Sequence, residues 1–155
     1  MQEGNALVQR WILTVLALLC MCAVAARGQE GPRTEEFKVI VNAANPQQSI
    51  DRVTLGKLFL KRIKRWDHGG EIVPINLNTS SEVRESFSQA IHHKSSWAIR
   101  KFWERMIFSG RDLPPEEASS DAEAIAMVAG QRGAIAYVSS STKLPPGVRE
   151  LPLVD

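Results

Sequence analysis

An α/β fold with a largely parallel sheet is what this chain predicts, on three observations. Strand-like runs alternate with helix-like runs along most of its length, the order that lays a sheet beneath crossover helices. Val39-Ile40-Val41 is continuously apolar, as in a strand covered on both faces. From Ile72 to Ile91 an apolar run passes through the polar turn Asn78-Thr79-Ser80-Ser81 to apolar residues at Val83, Phe87, Ala90 and Ile91, a strand delivering into a helix.

The start of the chain stands apart. Arg10 precedes the apolar run Trp11 to Ala26, which ends in small residues; this reads as a secretory signal peptide over residues 1–26, with Ala-x-Ala-like cleavage near Ala25 or Ala26. A membrane anchor is the alternative, but the run is shorter than the ~20 apolar residues that cross a bilayer, and it ends in alanines rather than in bases. Leu19 before Cys20 and Met21 before Cys22 are not the small residues that a lipoprotein signal requires. Both cysteines leave with the signal, so no disulfide, thiol nucleophile or cysteine metal site is expected in the mature chain. Residues 27–36 are polar, with Gly31-Pro32, and read as a flexible leader. Residues 37–155 form the expected domain, in a periplasmic or secreted location and with no stable membrane insertion after cleavage.

Phe37 to Asn42 reads as a strand, followed by a loop through Asn45-Pro46. A helix begins near Thr54 and turns Leu55, Leu58 and Phe59 inward, although Gly56 weakens it. Trp66-Asp67-His68-Gly69-Gly70 is a turn feeding a strand from Glu71 to Asn76. Thr79 and Glu82 have the spacing of a capping box for the central helix. Ser95-Ser96 caps a helix from Trp97 to Phe108, with Ile99, Phe102, Trp103 and Met106 at helical spacing and Ser109-Gly110 closing it. Pro114-Pro115 marks a loop, and Ser120 with Glu123 is a second capping box for a helix from Asp121 to Ala129. Gly130 and Gly133 bracket a tight connection into the strand Ala134 to Val138. A terminal strand from Val148 to Val154 contains Pro152, which places it at a sheet edge.

The chemistry concentrates at the turn from Thr79 to Arg84. Free N–H groups and the positive end of the helix dipole converge there, so the hydroxyls of Thr79, Ser80 and Ser81 with the Arg84 guanidinium can receive an anion. The same residues equally serve a plain helix start with a solvated arginine. A net charge of +2 is too mild to argue for nucleic acid, though Lys57, Lys61, Arg62, Lys64 and Arg65 crowd one segment and Glu116, Glu117, Asp121 and Glu123 another. His68, His92 and His93 have no metal-ligand or nucleophile–base spacing. No enzyme chemistry, cofactor or metal is therefore expected, and the adjacent pair reads as a helix end. Trp66, Trp97, Trp103 and Tyr137 lie on apolar stripes and are expected in the core rather than in a sugar platform.

Read in order, Leu58-Phe59-Leu60, Trp66, Gly69, Ile72-Val73-Pro74, Ser80, Arg84, Phe87, Trp103, Phe108, Gly110-Arg111, Pro115 and Gly133 to Val138 resemble a known family. They are similar to a short form of the substrate-binding proteins of phosphate ABC transporters. The resemblance spans about Val39 to Val138. It implies a single three-layer lobe of the type 2 periplasmic-binding-protein-like fold, with a substrate-binding and non-enzymatic role. It also implies phosphate or a similar small anion as ligand and a membrane transporter as partner; a lobe that had lost its ligand would instead dock on a membrane sensor, a porin or a secretion component.

Two departures qualify the ligand. Full-length members close two lobes around phosphate, whereas this chain resembles one. The family motif runs roughly Arg-x-Asp-Gly-Ser-Gly-Thr, and here the run is Asn76-Leu77-Asn78-Thr79-Ser80-Ser81-Glu82. Asn76 stands for the arginine and Asn78 for the aspartate, and only Ser80 matches. Glu82 adds a negative charge beside the expected anion; Arg84 either supplies the missing cation or pairs with Glu82. Two functions remain open: an anion-binding module for phosphate uptake or sensing, and an interaction module that kept the lobe and lost the ligand.

Overall fold

A computed structural model describes residues 37–154; the expected signal segment and leader lie outside the described residues. The strands are β1 (Phe37–Asn42), β2 (Ile50–Asp51), β3 (Val73–Leu77), β4 (Glu116–Ala118), β5 (Ala134–Ser139), β6 (Val148–Glu150) and β7 (Leu153–Val154). The helices are α1 (Arg52–Phe59), α2 (Glu82–His92), α3 (Ser96–Phe108) and α4 (Asp121–Gly130).

Five strands form one sheet in the order β4-β3-β5-β1-β6. β3 is parallel to both β4 and β5, and β1 is antiparallel to both β5 and β6. Four strands therefore share one direction and β1 alone is reversed, so the expected α/β architecture with a largely parallel sheet holds. Pro74 lies inside a central strand without breaking it. It pairs with Ile135 on β5, whereas β4 joins β3 only from Ile75 onward, so the missing N–H falls where β3 has one neighbour.

The pleat sends alternate side chains to opposite faces. On one face Phe37 and Tyr137 meet Phe87 of α2, whose ring stacks on Tyr137 at 3.8 Å between centroids; Phe59 of α1 closes the cluster at 4.8 Å from Phe87. On the other face Asn42 donates to the Val128 and Ala129 carbonyls at 2.9 Å each, satisfying the end of α4. Helices thus cover both faces, and the core runs through Val39, Ile40, Val41, Ile75, Ile135 and Val138. Gly56 lies where α1 packs closely on α2: a Cβ there would meet the Ile91 carbonyl oxygen at 3.4 Å, an ordinary contact.

Several local expectations shift. α1 starts two residues early, on Asp51, which accepts from the Thr54 N–H at 2.8 Å. The capping box on Thr79 does not form; Ser81 is the N-cap of α2 and accepts from the Arg84 N–H. At α4, Ser120 caps Glu123 as expected, but the Glu123 carboxylate returns to Ser119. The single terminal strand is two: β6 forms the sheet edge, and β7 pairs with β2 after the break at Pro152. β4 carried no apolar signal and was not expected.

Trp97 is corrected. It is 61 % exposed, whereas Trp66, Trp103 and Tyr137 are buried as expected. The reason is angular: α3 buries Ile99 and Trp103, and Trp97 in the first turn lies about 120° around the helix from Trp103.

Candidate functional site

The corner between β3 and α2 is built by Asn78. Its N–H donates to the Ala118 carbonyl at 2.9 Å and its side-chain amide to the Ser119 carbonyl at 3.0 Å, which ties the turn to the end of β4. Its carboxamide oxygen accepts from the Ser80 N–H at 3.1 Å and the Ser80 hydroxyl at 2.8 Å, an Asx turn. The Ser81 N–H goes to the Asn78 carbonyl at 3.2 Å. Two of the amides proposed for an anion are thus already occupied. The Glu82 and Val83 N–H groups, the first of the helix, have no acceptor among the described residues.

Thr79 and Ser80 are exposed, Ser81 is half-buried and Arg84 is buried. Arg84 does not project into solvent. Its Nη1 donates to the Leu77 carbonyl at 2.6 Å and to the Glu117 carboxylate at 2.5 Å, with 3 % of its side chain exposed against 43 % for Glu117. The carboxylate on Arg84 therefore comes from β4 rather than from Glu82, which faces outward. Sequence alone missed Glu117, because residues 116–118 carry no periodicity and pair with β3 across more than thirty positions of chain.

Beneath this pair lies Tyr137. Its hydroxyl donates to Asn76 at 3.2 Å and accepts from the Leu77 N–H at 3.4 Å. Burial pushes the phenol well above its ordinary range, against the opposing field of Arg84, so the hydroxyl stays protonated and a donor. The Asn76 carboxamide oxygen is spent on this bond. The corner thus holds one buried cation, already paired, with two exposed carboxylates, Glu82 and Glu117, at its mouth.

The histidines stay apart. His68 lies over Trp66 with near-parallel rings and approaches Asn45 Oδ1 at 3.3 Å. His92 ends α2 and His93 is its left-handed cap, as the sequence indicated. Among the described residues no group of three or more His, Cys, Asp or Glu is placed to hold a metal, and no helix is long and apolar enough to cross a membrane.

No protein-family model matches the chain, and no curated protein matches it by sequence. Solved structures do match. A phosphate ABC transporter substrate-binding protein with bound phosphate from Clostridium perfringens superposes with a TM-score of 0.61 at 16 % identity, over 76 % of this chain and 44 % of that one. An ABC-type phosphate transport receptor from Vibrio cholerae gives 0.60 at 16 %, over 76 % and 46 %. PstS from Borrelia burgdorferi gives 0.59 at 15 %, over 76 % and 47 %. The chain spans less than half the length of each. At these identities the likeness establishes the fold, which is that of part of a phosphate substrate-binding protein.

Proposed function

We propose that the chain acts outside the cytoplasm as a non-enzymatic binding lobe of the phosphate-receptor type, working through the corner of Thr79, Ser80, Ser81 and Arg84. We further propose that this corner engages a group on a membrane transporter, sensor or porin in preference to holding free phosphate. The observation that carries this reading is the 2.5 Å pair between Arg84 and Glu117. An incoming anion must displace Glu117 from the guanidinium and Asn78 from the Ser80 amide. The gain of roughly 1.5–3 kcal/mol from a charge-assisted bond is then offset by the loss of one like it. What remains is a helix-start contact of roughly 0.3–2 kcal/mol, well short of the ~4 kcal/mol that a millimolar site needs. A single lobe also leaves any ligand open to water. The exposed Glu82 carboxylate, outside the Arg84–Glu117 pair, favours a basic group on the partner.

Phosphate binding at the same corner is the second reading. It is favoured by the unoccupied Glu82 and Val83 amides and by the phosphate receptors that share the fold. A thermal titration of the exported chain separates the two, since a ligand of the folded state alone must raise its melting temperature. The parent chain is expected to ignore millimolar phosphate, and Glu117→Gln, which frees Arg84, to gain stabilisation from it. Stabilisation of the parent, abolished by Arg84→Ala, would establish the phosphate site instead.

A further inference from the structure

On α3, Trp97, Lys101, Arg105 and Phe108 recur at i, i+4, i+8 and i+11, and so share one outer stripe. Trp97 is 61 % and Phe108 89 % exposed, and the Lys101 ammonium lies 5.6 Å from the centre of the Trp97 ring. Beside the stripe runs a groove of about 440 Å³ in which Arg62, Lys94, Lys101 and Arg105 surround Trp97 and Phe102. Glu104 forms ion pairs with Arg100 and Lys101 and feels Arg105 at longer range, whereas Arg62, Lys94 and Arg105 form no salt bridge among the described residues.

We propose that this stripe docks the lobe onto an anionic lipid surface. The aromatic residues stand at opposite ends of a helix face about 16 Å long and protrude from it, with cations between them and along one side. A row of protruding apolar side chains interleaved with bases is complementary to a plane that is soft and apolar beneath and anionic on top. A tryptophan ring suits the boundary between the two. This surface is distinct from the Thr79 to Arg84 corner, so either proposal can fail without the other.

The test is cosedimentation of the exported chain with phosphatidylcholine vesicles, with and without phosphatidylglycerol, alongside a Trp97→Ala/Lys101→Ala/Arg105→Ala variant. All three positions lie on the outer stripe, so the variant should keep the parent melting temperature. Retention is expected on the phosphatidylglycerol vesicles only, reversed by high salt, and weakened roughly fivefold for each cation removed. Equal retention of parent and variant, or none, overturns the proposal. Retention on immobilised polyglutamate without vesicle binding would assign the stripe to an acidic protein segment. Self-association of the parent alone in analytical ultracentrifugation, without vesicle binding, would assign it to a second copy; both outcomes overturn the lipid surface.

Discussion

His92 shows what burial does to a single titratable group. It packs against Phe87 at 5.8 Å between ring centroids. Burial, and secondarily the neighbouring His93, lower its imidazole from 6.5 to about 4. Between these values the unfolded chain takes up a proton that the folded chain refuses, so stability falls as the pH drops through this window. From pH 7 to pH 5 the loss should be about 1–2 kcal/mol. Urea midpoints at the two pH values check it: His92→Gln should lose less stability on acidification than the parent does. Identical pH dependence would mean that water reaches the ring freely. Arg84 makes the complementary point about polar burial. Its partners, Leu77 and Glu117, lie on the strand before it and on a strand far along the chain, and no local pattern names them together.

At the scale of the element, helix starts were legible in kind and less so in register. The hydroxyl-rich turn before α2 announced a cap, but the spacing to Glu82 assigned it to Thr79, and the structure moves it to Ser81. The choice of Ser81 follows from Asn78, whose Asx turn uses two residues before the helix can begin. Ser81→Ala should therefore cost about 1 kcal/mol in denaturant unfolding. Thr79→Ala, at an exposed turn position, should stay within about 0.5 kcal/mol. The reverse order would return the cap to Thr79. The periodicity of α3 likewise offered Ile99, Phe102, Trp103 and Met106 as its inner face; the structure buries Ile99 and Trp103, leaves Phe102 and Met106 half-buried and turns Trp97 outward. A β-strand as short as β4 has too few residues to show a period at all.

At the scale of the whole molecule, Gly133 joins three parts of the chain. Its carbonyl accepts from the Val73 N–H at 3.1 Å and from the Trp66 indole at 3.1 Å. A Cβ on it would lie 2.0 Å from the Glu71 carbonyl oxygen, a position that cannot exist without backbone movement. Gly133→Ala should therefore cost at least about 2 kcal/mol. Gly130→Ala is the control, because a Cβ there meets nothing within 4 Å; it should be neutral or slightly stabilising by thermal melting. Equal effects at the two glycines would show that the lead into β3 yields at little cost. The sequence marked both glycines only as brackets of a tight connection, because the crowding at one of them comes from residues some sixty positions earlier.

What this sequence determined by itself is the alternation of strand and helix, most of the buried set and the place where β3 hands over to α2. Each of these is written in nearest-neighbour patterns of apolar and capping residues, and the energies behind them are local. What only the tertiary structure decided is the reversal of β1, the addition of β4 and the pairing of Arg84 with Glu117. These depend on which segments share a sheet. Hydrogen bonds and ion pairs between distant segments are set by where the folded chain brings their partners, and a buried guanidinium takes the carboxylate that the sheet puts beside it.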